Sequence, residues 1–209
     1  MNNRVRIIML LVVLTGCCTF AQDTVRHHVG GYCEGCEAIY VQMPKSLSWQ
    51  TTIPDSSEPG EPLEIDGIIY KLDGKTPAPN VILYVYHTDA KGLYSLAKGL
   101  ASGARRHGHL RGWIKTDSSG RYKFRTIKPA SYPNSRNPAH IHPVIKEPNM
   151  NEYYFDEYLF EGDPFITKEE RSRPEMRCGS GIITLSKGKD GVWHGKRDII
   201  LGLYIPNYK

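Results

Sequence analysis

Residues 112–126 read GWIKTDSSGRYKFRT, and this stretch decides the fold class. Two segments with apolar and polar residues in alternation, 112–116 and 121–126, flank the turn sequence Asp117-Ser-Ser-Gly120. A side-chain period of two is typical of β-strands, and Asp, Ser and Gly are favoured in the turns that connect strands. The stretch therefore predicts two β-strands joined as a hairpin.

Further strands are predicted on both sides of this stretch from the same alternation. They are residues 63–70, 80–87 and 140–146, and a second hairpin whose arms, 181–186 and 197–204, enclose Lys189-Asp190-Gly191. One short helix is expected over residues 167–173, where Thr167 and Glu170 have the spacing of a capping box. Many short strands with little helix favour an all-β fold of the β-sandwich type.

The hydrophobic core is expected in a single domain, residues 63–209, which is long enough to enclose one. Residues 22–62 are polar, are interrupted by Pro, Ser and Gly, and lack a regular apolar period. We therefore expect this segment to be a tether followed by an N-terminal arm that packs along the domain and contains the C-x-x-C motif.

Residues 1–21 have the features of an export signal. Two arginines precede an apolar run at residues 7–14, which is too short to span a bilayer. The sequence Leu14-Thr-Gly-Cys17 fits a bacterial lipoprotein box and predicts a lipid anchor on Cys17 at the cell envelope. Thr19-Phe-Ala21 instead fits ordinary signal cleavage and a periplasmic or secreted protein. Both routes predict that the protein leaves the cytoplasm.

The charge of the chain is mildly basic. The formal net charge of +5 falls by two, to +3, when residues 1–21 are removed, because that segment contains Arg4 and Arg6 and no acidic residue. The remaining basic residues are scattered rather than grouped in a stripe or a tail. We therefore expect a solvated surface and no nucleic-acid partner.

Cys33 and Cys36 form a C-x-x-C motif in a glycine-rich segment, and Cys178 lies far downstream. In an oxidising compartment this spacing predicts a structural disulfide. Metal binding and redox chemistry remain alternatives, although a thioredoxin-like motif should begin a helix after a strand, and the flanking glycines predict neither. The pairing of the three cysteines is left open at this stage.

Residues 132–142 read YPNSRNPAHIH and contain three possible metal ligands. In a strand, His140 and His142 project from the same face, and Tyr132 lies in a proline-rich turn shortly before them. Two histidines with a tyrosine do not match the usual zinc spacings. A phenolate favours a hard, highly charged ion such as Fe(III), because the ion must lower a phenol pKa of about 10 by several units. The cluster predicts non-haem ferric iron.

Several motifs between residues 64 and 163 carry a family resemblance. They are Gly92-Leu-Tyr94, residues 110–129, Ser131-Tyr-Pro133, Pro138-Ala-His-Ile-His142 and Phe160-Glu-Gly-Asp163. With these motifs the chain resembles the intradiol ring-cleavage dioxygenases, and most of all their protocatechuate 3,4-dioxygenase branch. The resemblance implies a transthyretin-like (prealbumin-like) β-sandwich with long loops. It also implies a non-haem Fe(III) held by Tyr94, Tyr132, His140 and His142.

The same resemblance implies an activity. Enzymes of this family take a catechol and O2 and insert both oxygen atoms into the ring between the two hydroxylated carbons, which gives a muconate-type diacid. The tyrosinate at the position of Tyr132 leaves the metal when the catechol binds and takes up a substrate proton, so Tyr132 is a catalytic candidate. The implied protein is an exported iron-dependent oxidoreductase with a small-molecule catechol as its substrate.

The chain departs from the family pattern at two positions. Asn137 stands where the family has an arginine, three residues before the first histidine, and Arg136 is the candidate that takes over its role. Glu157 stands where the family has a glutamine near the active site. These departures keep a second hypothesis open, a non-catalytic cell-surface binding module of the transthyretin-like type. A third hypothesis is a zinc site formed by Cys33 and Cys36 with the histidine pair.

Overall fold

The computed structural model, which describes residues 28–54 and 58–209, is built on two six-stranded β-sheets. The first sheet consists of β1 (Gln50–Thr52), β2 (Pro62–Tyr70), β5 (Arg121–Ile127), β10 (Ser186–Lys187), β11 (Trp193–Lys196) and β12 (Ile199–Ile200). The second consists of β3 (Ile82–His87), β4 (Arg111–Lys115), β6 (His140–Lys146), β7 (Glu152–Tyr154), β8 (Tyr158–Phe160) and β9 (Ile182–Ile183). The prediction of an all-β fold is confirmed.

The strands lie in the order β1-β5-β2-β11-β10 in the first sheet, with β12 also paired to β2. In the second sheet the order is β4-β3-β6-β8-β9, with β7 also paired to β6. Helical structure in the described residues is short: two 3₁₀ helices, Cys36–Tyr40 and Ser102–His107, and α1 (Lys168–Ser172). No helix among the described residues is long and apolar enough to cross a membrane.

The core is formed by the inward faces of the strands. Along β2 buried and half-buried residues alternate, because successive side chains point to opposite faces of a sheet. Leu63 and Ile65 of β2 belong to the same buried cluster as Leu83 of β3 and Ile141 of β6. Burial of each such aliphatic side chain stabilises the fold by roughly 1.5–3 kcal/mol.

The hairpin predicted over residues 112–126 is wrong. β4 pairs with β3, for example Ile114 with Leu83, whereas β5 pairs with β2, for example Phe124 with Ile65. The turn itself is present, since the Asp117 carboxylate accepts hydrogen bonds from the backbone N–H groups of Ser119 and Arg121 at 2.9 and 3.0 Å. The turn reverses the chain direction, but it connects β4 of the second sheet to β5 of the first. In this arrangement both strands bury an apolar face in the core between the sheets.

The second predicted hairpin is only partly correct. A turn does form at Lys189-Asp190-Gly191, but the strands that it joins are β10 and β11, with Ser186 opposite His194. β9 pairs with β8, and β12 pairs with β2. The predicted helix is confirmed: the Thr167 hydroxyl accepts from the Glu170 N–H at 3.1 Å, and the Glu170 carboxylate accepts from the Thr167 N–H at 2.7 Å.

The described part of the N-terminal arm contacts both sheets, because residues 50–52 form β1 of the first sheet and residues 36–40 pack against the second. Cys36 and Ile39 are buried together with Tyr84 and Val144, and the Trp113 indole donates to the Ile39 carbonyl at 2.6 Å. A structural disulfide is present, as predicted, and the pairing that the sequence left open is Cys33 with Cys36, while Cys178 is buried as a free thiol. The export signal and Cys17 lie outside the described residues.

Candidate metal centre

Four side chains converge at one point beside β6. The Tyr132 hydroxyl lies 2.7 Å from the Tyr94 hydroxyl. It also lies 3.0 Å from Nε2 of His140 and 3.3 Å from Nε2 of His142. The two Nε2 atoms are 3.0 Å apart. The structure therefore brings together all four residues that the sequence pointed to as ligands.

The strand alternation places the two histidines. Ile141 is fully buried in the core, while His140 and His142 on either side of it are half-buried and face the opposite way. Both rings therefore reach the same point from neighbouring positions on one face of β6. The predicted extended conformation of this segment is confirmed.

The contacts behind the histidine rings leave their two Nε2 atoms facing each other and the Tyr132 hydroxyl. Nδ1 of His140 lies 2.7 Å from the Pro138 carbonyl, which can only accept, so the ring proton is on Nδ1 and Nε2 carries a lone pair. Nδ1 of His142 faces the Glu157 carboxylate at 3.6 Å. Nε2 of His142 is turned away from Glu157, toward the Tyr132 hydroxyl and Nε2 of His140. A carbonyl or carboxylate behind each ring is the usual arrangement of metal-binding histidines.

The protein environment keeps the two phenols protonated when no cation is near. Burial, together with the adjacent Tyr132 hydroxyl, raises the pKa of Tyr94 far above its usual range. Burial and the nearby Glu157 carboxylate raise the pKa of Tyr132. The hydrogen bond with Tyr94 lowers this pKa, but it offsets only part of the increase. The two phenols and the two imidazole Nε2 atoms that meet at Tyr132 therefore fit a cation of high charge, which would ionise the phenols.

Within residues 28–54 and 58–209, no three His, Cys, Asp or Glu side chains are grouped so that they could hold a metal ion. A metal at this point would accordingly depend on the tyrosines. The disulfide occupies both Cys33 and Cys36, so the structure does not form the zinc site proposed as the third hypothesis.

A sequence model of the family described as "Dioxygenase" matches residues 37–175. The chain belongs to the intradiol dioxygenase family. It is 30% identical over 150 residues to catechol 1,2-dioxygenase 1 of Acinetobacter lwoffii, which covers 60% of this chain and 47% of that protein. It is also 30% identical over 113 residues to the protocatechuate 3,4-dioxygenase beta chain of Burkholderia cepacia. This match covers 51% of this chain and 48% of that protein. The chain thus spans about half the length of these relatives.

Solved structures show the same intradiol dioxygenase fold. The dioxygenase domain of a dioxygenase carbohydrate-binding protein fusion from Streptomyces sp. SirexAA-E matches with a TM-score of 0.55 and 23% identity, over 77% of this chain and 96% of that one. The 3-chlorocatechol 1,2-dioxygenase of Rhodococcus opacus 1CP matches with a TM-score of 0.54 and 23% identity, over 76% and 67%. The predicted intradiol-type sandwich is therefore confirmed.

A cavity of about 330 Å³ opens beside the four converging residues. Tyr132, His140 and His142 form part of its wall, whereas Tyr94 lies behind Tyr132 and does not line it. Leu159 and Ile182 add apolar surface to the same wall. The cavity lies at the small end of the size range of ligand pockets and provides an apolar wall next to polar groups, as a small aromatic molecule requires.

The two departures from the family pattern lie differently with respect to this cavity. Asn137 lines it, while the Arg136 guanidinium lies over the ring of Phe165, 6.0 Å from the ring centroid. Glu157 also lines the cavity, next to His142. Burial alone would raise the pKa of the Glu157 carboxyl, but its contact with the His142 ring outweighs burial and lowers this pKa to about 2. Glu157 is therefore an anion beside the site.

Sequence reasoning missed Asp89, which orders the loop that carries Tyr94. One Asp89 carboxylate oxygen accepts from the backbone N–H groups of Lys91 and Leu93 at 2.8 and 3.0 Å, and the other accepts from the Ser95 hydroxyl at 2.5 Å. Gly92 in this loop has a φ of +77°, and a Cβ there would overlap the carbonyl oxygen of Ser131. An Asp three residues before a Gly is a turn signal that could have identified the loop.

Sequence reasoning also missed the aromatic stack behind His142. The Tyr86 ring lies between two histidine rings, with His142 at 4.7 Å and His107 at 3.6 Å between centroids. Nδ1 of His107 lies 2.9 Å from the Tyr84 hydroxyl. The sequence indicated only that apolar and polar residues alternate along β3. That alternation does not identify the neighbouring strand, so it could not place Tyr86 beside His142.

Proposed function

We propose that this protein is an iron(III)-dependent intradiol dioxygenase that cleaves a catechol with O2 to a muconate-type diacid. The observation that carries the proposal is the approach of the Tyr132 hydroxyl to Tyr94, His140 and His142 within 3.3 Å. Family membership supports the reaction type. The cavity of about 330 Å³ beside these residues supports a substrate of the size of a single ring.

Tyr94, Tyr132, His140 and His142 would hold the iron. Ferric iron, when bound, supplies the Lewis acidity that keeps the phenols ionised and that binds a catechol through both oxygens. Nδ1–H of His140 is fixed by the Pro138 carbonyl, so this ring presents its lone pair without rearrangement.

Tyr132 is the tyrosine placed to handle a substrate proton. Its ring borders the cavity, whereas Tyr94 is set behind it. Because the protein environment raises the pKa of Tyr132, the phenolate form of this residue would be a strong base. Tyr132 would therefore accept the proton of a catechol hydroxyl at its Oη atom, in a cavity to which Leu159 and Ile182 add apolar surface.

We also propose that the protein acts outside the cytoplasm. The basic and apolar pattern of residues 1–21 and the lipoprotein box at Cys17 support export and anchoring. The disulfide between Cys33 and Cys36 supports an oxidising compartment. Metabolic labelling with a radioactive fatty acid should mark the wild type and leave Cys17→Ala unlabelled. Label that persists in Cys17→Ala would contradict the lipid anchor.

The visible spectrum and oxygen uptake of the iron-loaded protein test the proposed reaction. We expect a tyrosinate-to-iron charge-transfer band, a change in that band when catechol is added without air, and oxygen consumption when air is admitted. Tyr132→Phe should alter the band, while Tyr204→Phe, at an exposed tyrosine outside the cavity, should not. A protein that stays colourless after aerobic iron loading would contradict iron binding.

The non-catalytic module predicts a different result in the same experiment. It is favoured by Asn137 in the cavity wall and by the position of Arg136 over Phe165, which together leave the place of the family's arginine without a cation. A coloured, iron-loaded protein that consumes no oxygen with any catechol would support this module over the enzyme.

A further inference from the structure

The wall of the cavity carries more negative than positive charge. Its acidic members are Asp156, Glu157 and Glu170, and Arg173 is the only arginine or lysine among the described residues that line it. These groups surround a cavity already defined by Tyr132 and the histidine pair, so they act on whatever binds there. The sign of their charge decides which ring substituents the cavity accepts.

Arg173 is already neutralised within the wall. Its guanidinium forms an ion pair with the Asp156 carboxylate, which is only 13% exposed. The same carboxylate accepts a hydrogen bond from the Arg177 backbone N–H at 2.9 Å. Asp156 is thereby fixed in place, and Arg173 would have to leave a largely buried partner to meet an anion on a ligand.

The neighbouring arginines are engaged elsewhere. The Arg136 guanidinium lies over Phe165, and that of Arg177 lies over Tyr154 at 4.2 Å. Arg197 is buried and donates to the carbonyls of Asp156 and Gly179 at 2.7 and 3.1 Å. None of these three side chains lines the cavity within the described part of the chain.

Glu170 of α1 also lines the cavity. Its carboxylate accepts from the Thr167 backbone N–H at the start of α1, which is a neutral partner. Glu157 contacts His142, a ring already assigned to the metal centre. A carboxylate on a bound ring would therefore meet two anions and no free cation, whereas an ammonium group would meet two partners of opposite charge.

We infer that this cavity takes catechols whose ring substituent is uncharged or cationic and discriminates against catechols that carry a carboxylate, with Glu170 as a residue that determines this specificity. The inference rests on the proposed function, since it concerns the substrate of the same site. Family membership alone does not decide between catechols with and without a carboxylate, and the inference does.

Anaerobic titration of the iron-loaded protein, followed by its visible band, measures this preference as binding rather than turnover. The probes are 3,4-dihydroxyphenylacetate and 3,4-dihydroxyphenylacetamide, which have nearly the same shape and in which a methylene group insulates the catechol hydroxyls from the charge. We expect the amide to bind at least about tenfold more tightly at low salt. A third probe, 4-(2-aminoethyl)catechol, should bind at least as tightly as the amide.

Two Glu→Gln variants, each of which removes one negative charge, test the role of Glu170 in specificity. Glu170→Gln removes the charge but keeps an oxygen that can accept from the Thr167 N–H, because Gln also forms a capping box. It should reduce the amide-to-carboxylate ratio by about threefold. Glu169→Gln is the matched control, since Glu169 is the preceding residue on α1 and does not line the cavity. High salt should also lower the amide-to-carboxylate affinity ratio of the wild type, because salt screens the charge that Glu170→Gln removes.

Each result has a distinct meaning. Equal or tighter binding of the carboxylate to the wild type overturns the inference, while cleavage of unsubstituted catechol in the same preparation leaves the proposed function intact. A wild-type preference that is the same in Glu170→Gln and Glu169→Gln overturns the role of Glu170. A band that no catechol changes, with no oxygen uptake, overturns the proposed function itself.

Discussion

The ring of Tyr86 stacks on the ring of His142, with centroids 4.7 Å apart and planes inclined by 19°. The two residues face each other across β3 and β6, where Tyr86 is opposite His142 in the register. His107 covers the other face of Tyr86 in a nearly parallel stack. A candidate metal ligand is thus supported by two further aromatic rings.

Replacement of Tyr86 should weaken the metal centre. Tyr86→Leu removes the flat surface that restrains the His142 ring, so we expect the iron affinity to fall by about tenfold, as for other residues that orient metal ligands. Tyr86→Phe retains the ring and serves as the control. Competition with an iron chelator measures both affinities, and a wild-type affinity in Tyr86→Leu would show that the stack does not hold His142.

Glu157 should increase the affinity for iron through His142. Its carboxylate faces Nδ1 of the His142 ring and makes Nε2, the other ring nitrogen, a stronger electron-pair donor to a metal ion. Glu157→Gln retains the size of the side chain and removes the charge, and we expect iron affinity to fall by about tenfold. Glu161→Gln is the control, since Glu161 is exposed and pairs with Arg171 outside the cavity. Equal effects of the two substitutions on chelator competition would contradict a specific role for Glu157.

Asp89 should position Tyr94 without touching the metal. Asp89→Asn replaces a carboxylate that accepts three hydrogen bonds by an amide with a single acceptor oxygen, at a position that is 8% exposed. We expect a loss of about 1–3 kcal/mol in the free energy of unfolding, together with a shifted charge-transfer band. Asp73→Asn, in an exposed turn, is the control. A variant that lost stability but kept the wild-type band would show that Asp89 does not place Tyr94.

The stability of the protein should fall in mild acid because His87 is buried. Burial lowers the pKa of His87 from 6.5 to about 4, and both ring nitrogens have neutral partners, the Thr88 carbonyl and the Thr126 hydroxyl. The unfolded chain binds a proton as the pH falls below about 6.5, while the folded protein does so only near pH 4, so protonation favours unfolding within this window. Up to about 3 kcal/mol of the free energy of unfolding should be lost.

Urea unfolding between pH 7 and pH 4.5 measures this dependence. His87→Gln removes the titrating group, so its pH dependence should be shallower than that of the wild type. The exposed-site control is His194→Gln, because His194 is only partly buried on the other sheet. Parallel pH profiles for the wild type and His87→Gln would contradict the prediction.

Local patterns determined those parts of the site that one strand can hold by itself. His140 and His142 were predicted together because the strand period of two places them on one face whatever surrounds them. The capping box of Thr167 and Glu170 was predicted for the same reason, since both partners lie within one helical turn. The disulfide between Cys33 and Cys36 also joins near neighbours.

Contacts between distant segments were decided by the tertiary structure. Tyr94 was singled out only by its resemblance to a family motif, because its approach to Tyr132 depends on the close contact of Gly92 with Ser131. Tyr86 and Asp89 were missed, since the strand register and the loop hydrogen bonds that make them important involve partners the local pattern does not reveal. Arg136 was a candidate in the sequence, and the structure places it over Phe165.

Residues 112–126, by themselves, determined two strands and the turn between them, because alternation and turn chemistry act over a few residues. Only the tertiary structure decided that β4 and β5 belong to opposite sheets. The physical reason is that a turn reverses the chain at similar cost for strands that pair side by side and for strands that stack face to face. The burial of Ile114 and Phe124 in one core selects the second arrangement.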